Sequence, residues 1–138
     1  MDKTTLPEMY HELMHAPSII TPGYCSVCGH YPANNQHHMV RRNAGELYVQ
    51  GHKLPKPTIT LCGSGVSGCH GLAHQNRLHF RWIPETREVQ DGAGSHFFPS
   101  GHLEFISLDK PTDYLTALGM DGWKPLPKWS DFHEQIAG

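Results

Sequence analysis

Two segments of this chain combine cysteine and histidine at spacings that suit metal binding. The first holds a C-x2-C pair, Cys25 and Cys28, and the second is the glycine-rich LCGSGVSGCHGLAH of residues 61–74. Four thiolates from two loops are the usual ligands of a closed, tetrahedral structural zinc. The pattern therefore predicts one zinc bound by Cys25, Cys28, Cys62 and Cys69, and four unrelated thiols are the alternative.

The second cysteine pair has an unusual spacing, because six residues separate Cys62 from Cys69. Glycines at positions 63, 65 and 68 offset this, since glycine adopts backbone conformations that allow a long turn to fold back tightly. We expect a closed site that stabilises the fold and leaves no open coordination position for chemistry.

The histidines of the same region form a second candidate set. His70 and His74 are four residues apart in a predicted helix, so that their imidazoles lie on one face and can share a metal. His37 and His38 are adjacent in QHHMV, a predicted strand, so that their side chains face opposite sides. One of the two can bind metal while the other has a different role, and a pair of exposed strand histidines is the alternative.

Two familiar kinds of zinc enzyme do not fit these residues. A zinc protease of the HExxH type places Glu directly after the first histidine, where this chain has Gly71. A zinc deaminase requires H-x-E followed by P-C-x-x-C, and this combination is not found.

The candidate ligands must be positioned by a small set of elements. QHHMV and TITLC (58–62) predict the two strands of a hairpin, with residues 43–57 as a long connection, and a helix is expected from Cys69 to about Leu78. If the helix continued, Arg77 and Arg81 would follow the histidines on one face, where cations suit a phosphodiester. A solvated helix face is the alternative reading of these arginines.

Weaker patterns flank this region. A capping pattern from Thr5 to Glu8 and apolar residues at helical spacing predict an amphipathic N-terminal helix over residues 5–15. In the C-terminal part, HLEFISL (102–108) predicts a strand, and short helices are expected over 111–118 and 130–136.

Length and composition indicate one domain over residues 1–138 and an intracellular setting. No stretch approaches about 20 apolar residues, so no membrane contact is expected, and the N-terminus lacks the apolar region of a secretory signal. In a reducing compartment, cysteines serve as metal ligands more often than as disulfides. Residues 37–88 hold seven Lys and Arg against three Glu, a local charge of +4, whereas the rest of the chain holds four against ten, a charge of -6. The basic central region is compatible with phosphate binding.

The order of the motifs resembles the HNH endonucleases, and HHMVRR followed by LCGSGVSGCHGLAH is similar to the small HNH proteins of tailed phages and prophages. The resemblance covers residues 24–82. It implies an α+β fold with a small ββα-metal (His-Me finger) core and a four-cysteine structural zinc, to which an N-terminal helix and a short α/β C-terminal extension (83–138) are added. It also implies a metal-dependent endonuclease that acts on DNA in the cytoplasm. If the chain is phage-encoded, this is the cytoplasm of the bacterial host.

The resemblance assigns roles to individual residues. His38 is the expected general base, and His37, His70 and His74 are the expected ligands of a catalytic divalent ion, Mg²⁺ or another such as Mn²⁺, Ni²⁺ or Zn²⁺. The Cys25, Cys28, Cys62 and Cys69 site is the expected structural Zn²⁺ site. Arg41, Arg42, Arg77 and Arg81 are the candidate DNA contacts. Relatives of this kind are associated with phage genome packaging, so a terminase is the expected partner protein.

One position departs from the family pattern. The middle Asn of the HNH motif is expected about five residues before Cys62, where the chain has Pro57 and Thr58. The hydroxyl of Thr58 is the candidate for structural support of the base, whereas Pro57 has no N–H to donate. A non-catalytic zinc module that binds nucleic acid or protein is therefore the alternative function.

Overall fold

The cysteine and histidine segments lie on a β-hairpin and on the helix that follows it. The computed structural model describes the backbone of residues 4–91 and 94–127 and the side chains of residues 4–85 and 101–127. Within these ranges the elements are β1 (Asn35–His38), β2 (Tyr48–Val49), β3 (His52–Lys53), β4 (Thr58–Leu61), α1 (Gly68–His74), β5 (Leu78–Asp91), β6 (Gly94–Ser107), α2 (Tyr114–Leu118) and β7 (Lys124–Pro125). Each of these strands pairs antiparallel with its neighbours, which makes the molecule a small α+β domain.

β1 and β4 form the predicted hairpin. They pair in a register that sets His37 opposite Ile59 and His38 opposite Thr58. Ile19 bridges Ile59 on the other edge of β4, so that β4 is the inner strand and Ile59 is completely buried. The β-branched TITLC pattern is explained by this burial, and the hairpin prediction is confirmed.

The connection between β1 and β4 contains a small two-stranded ribbon that was not predicted. β2 and β3 are joined by Gln50 and Gly51, whose φ angles of 51° and 81° are those of a two-residue hairpin turn of type I′. Each strand has only two residues, too few for an alternating pattern to be visible in the sequence.

α1 ends earlier than the sequence predicts. A helix was expected from Cys69 to about Leu78, but it covers Gly68–His74 and is followed by Asn76 with φ of 59°. A residue in this left-handed conformation commonly terminates a helix. Leu78 is the first residue of β5 and is buried in the core.

The C-terminal part is built around a long hairpin of β5 and β6, each of 14 residues, with β7 added at the edge of β6. The predicted strand over 102–108 lies in β6 and is confirmed to Ser107. The predicted helix over 111–118 is confirmed from residue 114 onward as α2, and Gly119 is its C-cap. The helix predicted over 130–136 lies outside the described residues.

A chain of ion pairs joins β5 to β6. Nδ1 of His102 lies 2.7 Å from a Glu85 oxygen, and Nε2 lies 3.1 Å from Glu104. Glu104 also binds Nη2 of Arg81 at 2.6 Å, and the Arg81 guanidinium lies 4.5 Å from the centroid of the Trp123 ring. The pKa of His102 is raised, chiefly by the hydrogen bond to Glu104 and also by that to Glu85, so that the imidazolium is favoured between the strands.

The N-terminal segment differs from its prediction as one helix over 5–15. It forms two 3₁₀ turns, Glu8–Tyr10 and Leu13–His15. The capping pattern does not operate, because the hydroxyl of Thr5 accepts a hydrogen bond of 3.0 Å from the Glu46 amide. The segment is therefore fixed to the connection between β1 and β4, although its apolar side is buried as the helical spacing indicates.

One apolar cluster joins all parts of the described chain. Its members include Leu6, Leu13, Val40, Ile59, Leu61, Phe80, Leu103 and Tyr114. Leu103 and Tyr114 of the C-terminal part therefore pack on the same core as the hairpin and α1. Among the described residues, no helix has the length and apolar character needed to cross a bilayer.

Candidate metal centres and the adjoining cleft

The four cysteines come together from three segments. Cys25 and Cys28 precede β1, Cys62 follows β4, and Cys69 is the second residue of α1. Their sulfur atoms all lie within 4.8 Å of one another, and those of Cys28 and Cys62 are 3.6 Å apart. Two sulfurs on a tetrahedral zinc with bonds of about 2.3 Å lie about 3.8 Å apart. The cluster is a candidate structural zinc site of the kind that the sequence predicts.

Two glycines make the long spacing between Cys62 and Cys69 workable. Gly63 and Gly68 have φ angles of 87° and 64°. A Cβ at Gly63 would lie 2.1 Å from the Ser67 carbonyl oxygen, and one at Gly68 would lie 2.7 Å from that of Cys62. The chain thus folds back on itself more closely than any side chain would permit.

The ionisation of three of the thiols, those of Cys25, Cys28 and Cys69, also suits a cation. The pKa of Cys25 is lowered to about 4, chiefly because the Cys69 thiol donates a hydrogen bond to it. The same hydrogen bond raises the pKa of Cys69, together with burial, and burial raises the pKa of Cys28 to about 11. The thiolate of Cys25 is therefore favoured, and ionisation of Cys28 and Cys69 beside it is opposed. A divalent ion removes that opposition, because metal binding deprotonates all four ligands.

Three histidines form the second cluster. His37 at the middle of β1 meets His70 and His74 of α1, and one nitrogen from each lies within 4.8 Å of the others. The Nε2 atoms of His70 and His74 are 3.0 Å apart, and the ring centroids of the three side chains are 4.6 to 5.5 Å apart. Two nitrogens on a tetrahedral zinc with bonds of about 2.1 Å lie about 3.4 Å apart. The arrangement fits a shared cation.

Two imidazoles of this cluster, those of His37 and His70, favour the neutral form. Burial, followed by the charges of His70 and His74, lowers the pKa of His37 to about 4, and burial lowers the pKa of His70. Neutral imidazole offers the lone pair that a metal requires. Nδ1 of His70 is buried without a hydrogen-bond partner among the described atoms, whereas Nε2 of the same ring lies 3.0 Å from Nε2 of His74.

The ligand type indicates which ions bind best. The cluster consists of three imidazoles, and no carboxylate belongs to it among the residues that the structure describes. Imidazole nitrogen suits Zn²⁺ and Ni²⁺, whereas Mg²⁺ prefers oxygen ligands. Of the ions expected from the sequence, the transition metals are therefore favoured.

The histidines border a cleft of about 730 Å³ that lies between β1, α1, the N-terminal segment and α2. His38 lines this cleft together with the three clustered histidines. Its half-buried ring forms no hydrogen bond with any described residue, so both ring nitrogens remain open to a bound water or substrate.

Thr58 is placed opposite His38 but does not contact its ring by a hydrogen bond. Its hydroxyl accepts a hydrogen bond of 3.1 Å from the Gln36 side chain. The carbonyl of Pro57 accepts a hydrogen bond of 2.9 Å from the amide of Met39. Pro57 therefore fixes the backbone next to His38 through its carbonyl oxygen. The missing N–H of proline does not affect this contact.

The four arginines fall into two groups. Arg41 and Arg42 are exposed at the cleft, where Arg41 also donates a hydrogen bond of 2.5 Å to Asn76. Arg77 instead donates to a backbone carbonyl at 3.0 Å, and Arg81 lies in β5 within the chain of ion pairs. The expectation that these two continue the histidine face of α1 is wrong, because the helix ends before Arg77.

Sequence reasoning missed two features of the site. Tyr10 and Tyr114 line the cleft as a stacked pair, although nothing in the sequence indicates that their segments meet. Gly71 allows close approach of the preceding loop, since a Cβ there would lie 2.6 Å from the carbonyl carbon of Val66. A glycine inside a short helix beside a glycine-rich loop was a signal for such packing.

No protein-family model, curated protein or solved structure matches this chain. The interpretation of both clusters rests on their own residues and geometry.

Proposed function

We propose that the protein is a metal-dependent endonuclease with an HNH-type, ββα-metal core that hydrolyses phosphodiester bonds of DNA. The observation that supports this most is the convergence of His37 from the hairpin with His70 and His74 from the following helix, beside His38 in one cleft. In this proposal the four cysteines bind the structural zinc of the same core.

The residues have separate tasks in the reaction. His38 accepts the proton of a water molecule as that water attacks phosphorus, which a histidine can do near neutral pH. His37, His70 and His74 hold the divalent ion, which when bound neutralises charge on the phosphate and on the departing 3′-oxygen. Arg41 and Arg42 bind neighbouring phosphates at the cleft, and such contacts position the strand without reading its sequence.

Cleavage of supercoiled plasmid tests this proposal. Wild-type protein, His38→Ala and the exposed-residue control His15→Ala are each incubated with Mg²⁺, Mn²⁺, Ni²⁺ or Zn²⁺, and nicked and linear products are measured. Wild type and His15→Ala are expected to cleave with at least one metal, and His38→Ala to be about 10²–10⁴-fold slower while retaining its zinc. Equal inactivity of all three proteins on every substrate and metal would exclude the nuclease function.

A non-catalytic zinc module is the second candidate. It is favoured by the hydrogen bond of Thr58 to Gln36, which leaves His38 without the side-chain support that the motif Asn implies. This alternative predicts one metal ion per chain and nucleic-acid or protein binding that is unchanged in His38→Ala.

A phage packaging terminase is proposed as partner from the family resemblance. Affinity purification from infected cells, or from induced cells of a prophage strain, should enrich a packaging protein with wild type. Absence of every packaging protein from the purified complexes would count against this partner.

A further inference from the structure

The part of the cleft formed by the N-terminal segment and α2 carries two stacked tyrosines. The ring centroids of Tyr10 and Tyr114 are 5.0 Å apart, and the ring planes differ by 9°. Both residues border the same cleft as the histidines.

Tyr114 is the fixed member of this pair. Its side chain is buried, and its hydroxyl donates a hydrogen bond of 2.7 Å to the Phe80 carbonyl. Tyr10 is half-buried, and its hydroxyl donates to no residue that the structure describes. Tyr114 therefore holds the Tyr10 ring in one orientation while part of that ring stays open to the cleft.

The charges of the cleft suit an anion. Arg41 and Arg42 line it, and Asp113 is the single carboxylate among its described lining residues. The cleft volume of about 730 Å³ lies within the range of ~300–1,000 Å³ that is typical of ligand sites. An anion-binding side and a flat aromatic surface in one cleft are the two features that a nucleotide requires.

We infer that Tyr10 stacks on an unpaired base of the bound strand, so that the site acts on single-stranded or locally unpaired DNA. This inference rests on the proposed nuclease function and specifies its substrate. In a duplex each base is paired and stacked between its neighbours, and it reaches a side-chain ring only after leaving the helix. Stacking is tolerant of sequence, because every base has a π-face.

Binding measurements can test this without cleavage. Fluorescent oligonucleotides of about 12 nucleotides, single-stranded or as a duplex, are titrated with the zinc-loaded His38→Ala protein and with the same protein carrying Tyr10→Leu or Tyr10→Phe. Tyr10→Leu is expected to weaken single-strand binding about 5- to 150-fold, whereas Tyr10→Phe, which keeps the ring, changes it little. Duplex binding should be the same in all three proteins.

A scan of abasic sites provides the second measurement, and its first part uses protein in which Tyr10 is intact. In the protein with Tyr10 intact, an abasic site at one position of the single strand should weaken binding about 5- to 150-fold. In Tyr10→Leu the same abasic site should cause no further loss. Equal losses on single strand and duplex, or no sensitive abasic position, would overturn the inference. If wild type cleaves plasmid but Tyr10 has no such effect, the nuclease function stands and the stacking inference fails. If the stacking effects occur without any cleavage, the nuclease function fails and the binding inference stands.

Discussion

At the scale of single residues, the two sets of candidate metal ligands differ in burial and in the type of donor atom. Three of the four thiols are buried and Cys28 is exposed, so the sulfur cluster is largely enclosed. The three imidazoles instead border an open cleft. An enclosed four-ligand site suits a structural ion, and a three-ligand site beside a cleft leaves positions for water and substrate.

Removal of one cleft imidazole should therefore abolish one metal site and spare the other. His74→Ala is expected to reduce bound metal from two ions per chain to one in protein loaded with Zn²⁺ and desalted, because two remaining imidazoles hold a divalent ion weakly. Elemental analysis by mass spectrometry measures this ratio. His15→Ala, an exposed histidine outside the clusters, is the control and should retain both ions. An unchanged ratio in His74→Ala would show that these histidines do not bind metal.

Local spacing explains why the ligands could be proposed from sequence. A separation of four residues places two side chains on one helical face, and a strand sends neighbouring side chains to opposite sides, so His70, His74 and one of the His37 and His38 pair were foreseeable. The stacking of Tyr10 on Tyr114 was not, since it depends on a contact between residues more than one hundred positions apart.

At the scale of elements, the loop between β4 and α1 determines whether the sulfur cluster can close. Its fold requires positive φ at Gly63 and Gly68, while Gly65 lies in open space and has no close neighbour. Gly68, where the loop enters α1, thus differs from Gly65 within the loop, and the two permit a matched comparison.

Gly68→Ala should destabilise the protein by about 1–3 kcal/mol, because alanine is strained at positive φ and its Cβ would lie 2.7 Å from the Cys62 carbonyl oxygen. Urea unfolding measures the change, and a colorimetric chelator assay should show faster zinc release. Gly65→Ala is the control and is expected to be within about 0.5 kcal/mol of wild type. Equal effects of the two substitutions would contradict this account of the loop.

The ion pairs between β5 and β6 should make stability depend on pH. The pKa of His102 is raised in the folded state, so its contribution is present below the unfolded value of 6.5 and is lost as pH rises through the folded pKa. Thermal unfolding of wild type and His102→Gln should therefore differ at about pH 6 and converge at about pH 9.

An exposed histidine of β3 serves as the control for this pH effect. His52→Gln should leave the difference from wild type small and independent of pH. A constant difference between wild type and His102→Gln at both pH values would argue that His102 stabilises the hairpin by packing alone.

The presence of the strands and helix near the clusters was predicted better than the residues at which elements begin and end. The end of α1 depends on the left-handed conformation of Asn76, and nothing in the local pattern distinguished this from one more helical turn. The N-terminal segment has helical spacing, yet the Thr5 hydroxyl that would cap a helix is used by Glu46, a contact between distant segments. A tertiary contact decided the N-terminal case.

At the scale of the whole molecule, the candidate zinc site connects three segments that otherwise share only a modest core. Structural zinc supplies about 10–16 kcal/mol in small zinc peptides, which is comparable to the total stability of ~5–15 kcal/mol that is usual for a domain. Most of the stability of this chain is therefore expected to depend on the metal.

Cys62→Ala is expected to lose zinc and with it the cooperative thermal transition, as followed by circular dichroism. Val66→Ala, in the same loop and 84% exposed, is the control and should melt like wild type. A Cys62→Ala protein with an unchanged melting temperature would show that the sulfur cluster does not stabilise the fold through a metal.

The role of the C-terminal extension could not be predicted from sequence. Its strand and helix were foreseeable from local patterns. Its contribution to the cleft was not, because Asp113 and Tyr114 come to line the cleft through the packing of α2 against β5. Residues 24–82 alone would lack this wall.

Cys69 and His70 are consecutive residues that belong to different clusters. The amide of His70 also donates a hydrogen bond of 2.9 Å to the carbonyl of Cys62, so a cysteine ligand segment sets the position of the first helical histidine. This adjacency couples the two clusters. We expect loss of an ion at the cysteine cluster to disturb the geometry of the histidine cluster, so occupancy of the open site would depend on zinc at the enclosed one.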